Sequence, residues 1–249
     1  MKEPKGSIFF SLDEEVKKIY NTIMEKEVKF TDVADVAYNN IKIIKKLSFD
    51  KTLDIKIGIN DKGYLTIDVL PSSSWIDWVI NFIFFPKKVR FLNNAFVHSG
   101  YMIEWLFCRK EVYDTINNTK ELFNAITKKG LIVSGRSKGA GEAFFIALGL
   151  QQAFLIPGEK IYIGNFEGPK IGNKAFEEYV YSKIPKDHIY CVIYKNDIVP
   201  GIPFFYKRVG TQIQFDKRVL GQSFKDHEKA CCDEDMMYGY IRAYEALHQ

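Results

Sequence analysis

Apolar positions along this chain recur with two different periods, and the switch between them divides it into helices and strands. Leu12 to Lys26 and Thr31 to Leu47 carry helical spacing. The second has an apolar stripe of Val33, Val36, Ala37, Ile41, Ile44 and Leu47 behind a Thr31-Asp32 N-cap. Leu53 to Ile59 alternates as a half-buried strand does, Asp61-Lys62-Gly63 turns it, and Tyr64 to Leu70 completes a hairpin. Gly100 to Ile116 predicts a long helix and Lys120 to Lys128 a shorter one. The second half then alternates. Strands are predicted at Leu131 to Val133, Lys160 to Phe166 and Ile189 to Tyr194, with helices at Glu142 to Leu148 and Asn173 to Ile184. A ribbon over Tyr206 to Phe215 and a helix from about Asp235 to Leu247 close the chain. Such alternation predicts an α/β fold, a mostly parallel central sheet with helices on both faces. With no repeat, low-complexity tract or linker, residues 1–249 are expected to form a single domain, residues 1–50 supplying N-terminal helices that pack on it.

Composition narrows the function. The 249 residues are 47% hydrophobic, enough for one sizeable core. Lys and Arg number 35 against 31 Asp and Glu, a net charge of +4. That excess is too small to argue for nucleic acid, though it suits contact with an anionic membrane surface. Cys108, Cys191, Cys231 and Cys232 form no Cys-x-x-Cys and read as free thiols, which favours a reducing compartment. The apolar run at Ile8-Phe9-Phe10 is too short for a signal peptide. Asp77 and Asn81 interrupt the longest apolar stretch, Trp75 to Phe85, which is also too short to span a membrane. Localisation stays open, leaning to the cytoplasm over secretion.

The chemistry gathers at Gly135-Arg136-Ser137-Lys138-Gly139, which follows a predicted strand and opens a predicted helix. Strand, Gly-x-Ser-x-Gly and helix together make a nucleophile elbow: the serine sits on a strained turn, and the glycines remove side chains that would collide. Free amides of the helix N-terminus then point where an oxyanion would form. A serine needs a base, usually a histidine oriented by a carboxylate, and on this elbow the order is Ser, acid, His. His188, His227 and His248 follow Ser137. His188 precedes its strand and His248 is the penultimate residue, whereas His227 lies in a polar stretch read as a loop, Lys225-Asp226-His227-Glu228. Asp197, in Asn196-Asp197-Ile198-Val199-Pro200, falls just past a strand's carboxyl end, where open α/β sheets place their sites. An Asx-turn would explain it equally well. No His, Cys and Asp cluster has metal-ligand spacing, and hydrolysis by such a triad needs no metal or cofactor.

Five motifs in order resemble the class 3 lipase family of α/β-hydrolases, over about Asp68 to His227. Val97-His98-Ser99-Gly100-Tyr101 is similar to its Val-His-x-Gly-Phe, and Ser134 to Ala140 to its Thr-Gly-His-Ser-Leu-Gly-Gly elbow. Phe166 to Asn173 resembles Phe-Gly-x-Pro-Arg-Val-Gly-Asn, Asn196 to Pro200 matches the acid motif nearly unchanged, and Asp226-His227 resembles the base motif. The resemblance implies an α/β-hydrolase fold and a serine ester hydrolase, a lipase or esterase with Ser137, Asp197 and His227 as its triad. It implies an oxyanion hole from the amide of Lys138 and from Ser72, in Leu70-Pro71-Ser72-Ser73-Ser74-Trp75. It also places the family's lid at Trp75 to Phe85, and implies a lipid or ester substrate with transient contact at a lipid interface.

Three departures from the family pattern lie at the oxyanion loop and beside the nucleophile. Pro71 stands where the oxyanion loop usually has glycine, and its fixed φ restricts that backbone. Arg136 and Lys138 flank the nucleophile, although cations oppose the dipole of a helix N-terminus. Either they favour anionic head groups such as those of phospholipids, or they pair with local acids, for instance Lys138 with Glu142 one turn on. The same departures keep a rival in view, a non-catalytic lipid-binding or interaction protein on a hydrolase fold.

Overall fold

The structure, a computed structural model, describes residues 28–38, 41–49, 53–70, 86–216 and 223–248. The helix expected at Leu12 to Lys26, Pro71 and Ser72 of the oxyanion loop, and the lid stretch Trp75 to Phe85 lie outside the described residues. In chain order come α1 (Phe30–Ala37), β1 (Lys42–Phe49), β2 (Leu53–Ile59) and β3 (Leu65–Val69). A hairpin of β4 (Pro86–Val89) and β5 (Ala95–His98) leads to α2 (Ser99–Asn118) and α3 (Lys120–Lys128). Then follow β6 (Leu131–Arg136), α4 (Lys138–Phe154), β7 (Ile161–Phe166), α5 (Lys174–Tyr181) and β8 (Ile189–Tyr194). β9 (Thr211–Phe215), α6 (Phe224–Cys232) and α7 (Glu234–Leu247) complete the chain.

The central sheet has seven strands in the order β1-β2-β3-β6-β7-β8-β9. β1, β2 and β3 pair antiparallel, and from β3 through β9 every pairing is parallel. This is an α/β-hydrolase fold. Strand periodicity sends the apolar residues of β6 alternately to two cores. Leu131 and Val133 join the apolar cluster beneath α2, α4 and α5, while Ile132 joins the one beneath α1, α6 and α7. On that second face Ser134 Oγ donates to Val33 O at 2.7 Å and fastens α1 to the strand.

Three expectations are corrected. The second expected helix stops at Ala37, and its remainder is the edge strand β1, so residues 1–50 are not helices throughout. The helical spacing of Ile44 and Leu47 has a local cause: the register of β1 shifts between Ile43 and Lys45, and the extra residue breaks the two-residue alternation there. Both side chains can then pack on one core from a strand. His227 lies on α6 and not in a loop, because Ser223 Oγ caps that helix by accepting from Asp226 N–H at 3.1 Å. Only Thr211–Phe215 of the expected ribbon is a strand, and it pairs with β8.

Candidate active site

Ser137 stands between β6 and α4 at φ 52° and ψ −122°, a backbone conformation that costs an L-residue of order 1–3 kcal/mol and persists only when its surroundings impose it. The imposing contacts are close. Ser137 N–H donates to Phe166 O at 2.9 Å, tying the elbow to the end of β7. A Cβ on Gly135 would collide with the backbone of Gly139, and one on Gly139 with the carbonyl of Val69. Neither position has room for any other residue.

The loop after β8 and the start of α6 are joined by Ser223 N–H to Asn196 O at 2.8 Å and by Asn196 N–H to Asp226 Oδ2 at 3.3 Å. That junction brings Asp197 to His227. The structure gathers all three candidate triad residues: Ser137 Oγ lies 2.8 Å from His227 Nε2, and His227 Nδ1 lies 2.7 Å from Asp197 Oδ2. With a carboxylate at Nδ1, the neutral ring carries its proton there and offers a bare Nε2 to the serine hydroxyl. The other carboxyl oxygen of Asp197 accepts from Val199 N–H at 2.8 Å. Burial pushes this carboxyl above its ordinary range, while hydrogen bonds from His227 and Val199 pull it back. All three side chains are buried.

The two flanking cations leave the elbow toward opposite faces of the sheet. Lys138 Nζ meets Glu104 Oε1 of α2 at 2.6 Å and Glu142 Oε1 of α4 at 3.2 Å. Arg136 Nη1 meets Glu234 Oε1 of α7 at 2.7 Å and Cys231 O at 3.0 Å, with the guanidinium 5.1 Å above the ring of Tyr38. The backbone amide of Lys138 stays at the first position of α4, on the positive end of the helix dipole.

Two neighbours of the triad escape a reading by motif. Cys231 Sγ lies 3.7 Å from His227 Nε2, the nitrogen that faces Ser137. Its i,i+4 spacing from His227 was a usable signal once the stretch was known to be helical. Glu167 stands where the resembled motif has glycine, at φ 53°, fully buried, with no hydrogen bond to either carboxyl oxygen among the described residues. Burial first and then the charge of Asp197 push its carboxyl well above the usual range, with Arg136 opposing. Among the described residues no group of three or more His, Cys, Asp or Glu is placed to hold a metal ion.

Residues 70–207 match the family model of lipase (class 3). Among solved structures, the lipase of Rhizopus microsporus var. chinensis aligns at TM-score 0.66 and 20% identity, over 86% of this chain and 86% of that one. The Rhizomucor miehei lipase propeptide complex aligns at TM-score 0.62 and 22% identity, over 81% and 68%. Lipase II from Rhizopus niveus aligns at TM-score 0.63 and 21% identity, over 78% and 81%. None of the curated proteins matches the sequence.

Proposed function

The chain belongs to the class 3 lipase family and is a serine ester hydrolase, and we propose that Ser137, His227 and Asp197 carry out its chemistry. The observation that supports this assignment is the continuous pair of hydrogen bonds, 2.8 Å and 2.7 Å, from Ser137 through His227 to Asp197. Ser137 Oγ attacks the ester carbonyl while Nε2 of His227 takes its proton and then returns it to the departing alcohol. Asp197 holds the ring in its tautomer and stabilises the imidazolium. Water repeats the sequence on the acyl-enzyme. The amide of Lys138 donates to the tetrahedral oxyanion, with Ser72 as the second donor; each such donor contributes about 3 kcal/mol to the transition state.

We assign the substrate to acyl esters of lipids, reached by transient contact with a lipid interface. Ser137 is 4% exposed and His227 3%, so the reacting groups sit largely out of water, as chemistry on an apolar ester requires. A preference for anionic head groups is the weaker part of this reading. Each flanking cation already has a carboxylate within 3 Å, which a phosphate would have to displace. Comparing anionic and neutral esters with the Lys138→Leu/Glu142→Gln variant tests it, and an unchanged ratio of rates removes the idea. The same pairings remove two of the three supports of the non-catalytic rival, since Arg136 and Lys138 are accommodated without disturbing Ser137, and the labelling test below decides between the readings.

Fluorophosphonate labelling and a screen of p-nitrophenyl esters test the triad directly. Labelling is expected at Ser137 and is expected to vanish in Ser137→Ala, with kcat lower by about 10⁴ or more. Cys231→Ala should keep both label and turnover, because burial pushes that thiol well above its usual range and leaves it a poor nucleophile. Loss of labelling in Cys231→Ala with retention in Ser137→Ala would overturn the assignment.

A further inference from the structure

We propose that the loop at residues 203–208, together with Lys170, is a docking surface for an anionic lipid surface at the rim of the active site. The inference gives a location to the interfacial contact in the lipase reading and rests on that reading for its purpose. Phe204 is 84% exposed and its neighbour Phe205 49%, while the next residue, Tyr206, is buried. Single exposed apolar residues are ordinary on a protein surface; two adjacent rings held out together are not.

The loop is held in that shape. Lys170 N–H donates to Ile202 O at 2.8 Å, Lys207 N–H to Gly172 O at 2.7 Å and Tyr206 N–H to Pro203 O at 3.1 Å. Arg208 grips Pro200 O through Nε at 3.2 Å and Nη2 at 2.6 Å. Presentation of the two rings is therefore built into the backbone. The surrounding charge has one sign. Lys170, Lys207 and Arg208 form no ion pair among the described residues, and Arg208 Nη1 goes instead to the amide oxygen of Gln212 at 3.1 Å. The backbone bonds that tie residue 170 to 202 and 207 to 172 gather the three cations, and burial first, then the charges of Arg208 and Lys207, lower Lys170 below its ordinary value. An anion arriving there relieves their mutual repulsion.

Position relates the patch to catalysis. Residues 203–208 lie on the loop that leaves the carboxyl end of β8, carries Asp197 and returns to the start of β9, and the bonds of Lys170 to Ile202 and of Lys207 to Gly172 hold this segment against the loop leaving β7. Lys170 lies on the loop leaving β7, whose last carbonyl receives the amide of Ser137. Both loops emerge at the sheet edge that bears the nucleophile. Rings that enter the head-group region beside cations that meet phosphate are the two components of interfacial binding. An acidic protein would match the charges, but the reading of the site as one for lipid esters favours a lipid surface.

Co-sedimentation with phosphatidylcholine vesicles, with and without phosphatidylglycerol, tests the proposal, using Ser137→Ala protein so that binding is read without turnover. The parent should favour phosphatidylglycerol vesicles and lose that preference as salt rises. Phe204→Ser/Phe205→Ser should lower the partition coefficient about tenfold or more. Lys170→Ser/Lys207→Ser should lower it about fivefold per charge, on phosphatidylglycerol vesicles alone. With Ser137 restored, both variants should keep the parent kcat/KM on a soluble p-nitrophenyl ester. Phe204→Ser alone serves if the double aromatic variant is unstable, since so exposed a ring supports little of the core. Partition indifferent to either pair, or equal on the two vesicles, overturns the proposal and leaves the rings to a protein partner. If no ester is turned over but partition still depends on these residues, the lipase reading falls and the docking surface stands.

Discussion

Lys138 shows how a residue next to a nucleophile can belong to another part of the molecule. Its amide faces the reacting centre, whereas its ammonium is buried between Glu104 and Glu142, on the side of α2 and α4. The charges around Ser137 were legible in the sequence, and so was one of the partners, since Glu142 lies one helical turn from Lys138. Glu104 was not, because it comes from a helix that only the fold brings near. A buried carboxyl, Glu142, and a half-buried one, Glu104, sharing one buried ammonium make a network that is costly to break. Lys138→Leu should lower the unfolding free energy by about 3–5 kcal/mol at neutral pH, as for other buried pairs that lose one partner. Burial and the neighbouring Glu104 already push Glu142 well above its usual range. That carboxyl can take up a proton, so the loss should shrink at lower pH, and Glu142→Gln in the same chain should recover much of it. Denaturant unfolding near pH 5 and pH 8 measures both.

At the scale of elements, the elbow was the most legible piece, because its glycines answer to one geometric demand. Gly139 is needed where α4 crosses the end of β3, and a Cβ there would lie against the carbonyl of Val69. Gly139→Ala should therefore destabilise by about 3 kcal/mol, at the upper end of overpacking. It should also lower kcat, since displacement of a catalytic group by about 1 Å costs about a hundredfold. Loss of stability with kcat unchanged would show that the strand end yields and not the serine. Legibility failed where one periodicity imitated another. Ile44 and Leu47 have helical spacing, yet a bulge lets a strand use the same two residues on one face. It failed again at His227, where charged residues suggested a loop, although Ser223 followed by Asp226 is a helix-start signature that could have been read.

For the whole molecule, alternating helices and strands foretold a parallel sheet, but strand order came only with the fold, and with it the pairing of distant charges. The two apolar clusters lie on opposite faces of one sheet and draw on the same strands. We therefore propose that they unfold together as one domain, in a single calorimetric transition. Inside that sheet Asp68 is buried on β3, opposite Lys56 of β2, whose ammonium approaches only to 3.8 Å. Neither of its carboxyl oxygens has a hydrogen bond among the described residues. Burial raises this carboxyl from 3.8 to about 7, against the pull of Lys56 and Arg136. The folded chain thus holds this proton more tightly than the unfolded one, and the resulting stability is complete below the unfolded value and lost as pH rises through the folded one. The loss amounts to about 4 kcal/mol, between about pH 4 and pH 7. Glu142, Glu167 and Asp197, also raised, act in the same direction. Unfolding free energy should accordingly fall from about pH 5 to about pH 8, and Asp68→Asn should flatten that fall by carrying no charge to bury. Equal slopes for the variant and its parent in urea titrations across this range would show that Asp68 ionises freely in the fold, and that the strand beside the elbow bears no electrostatic cost.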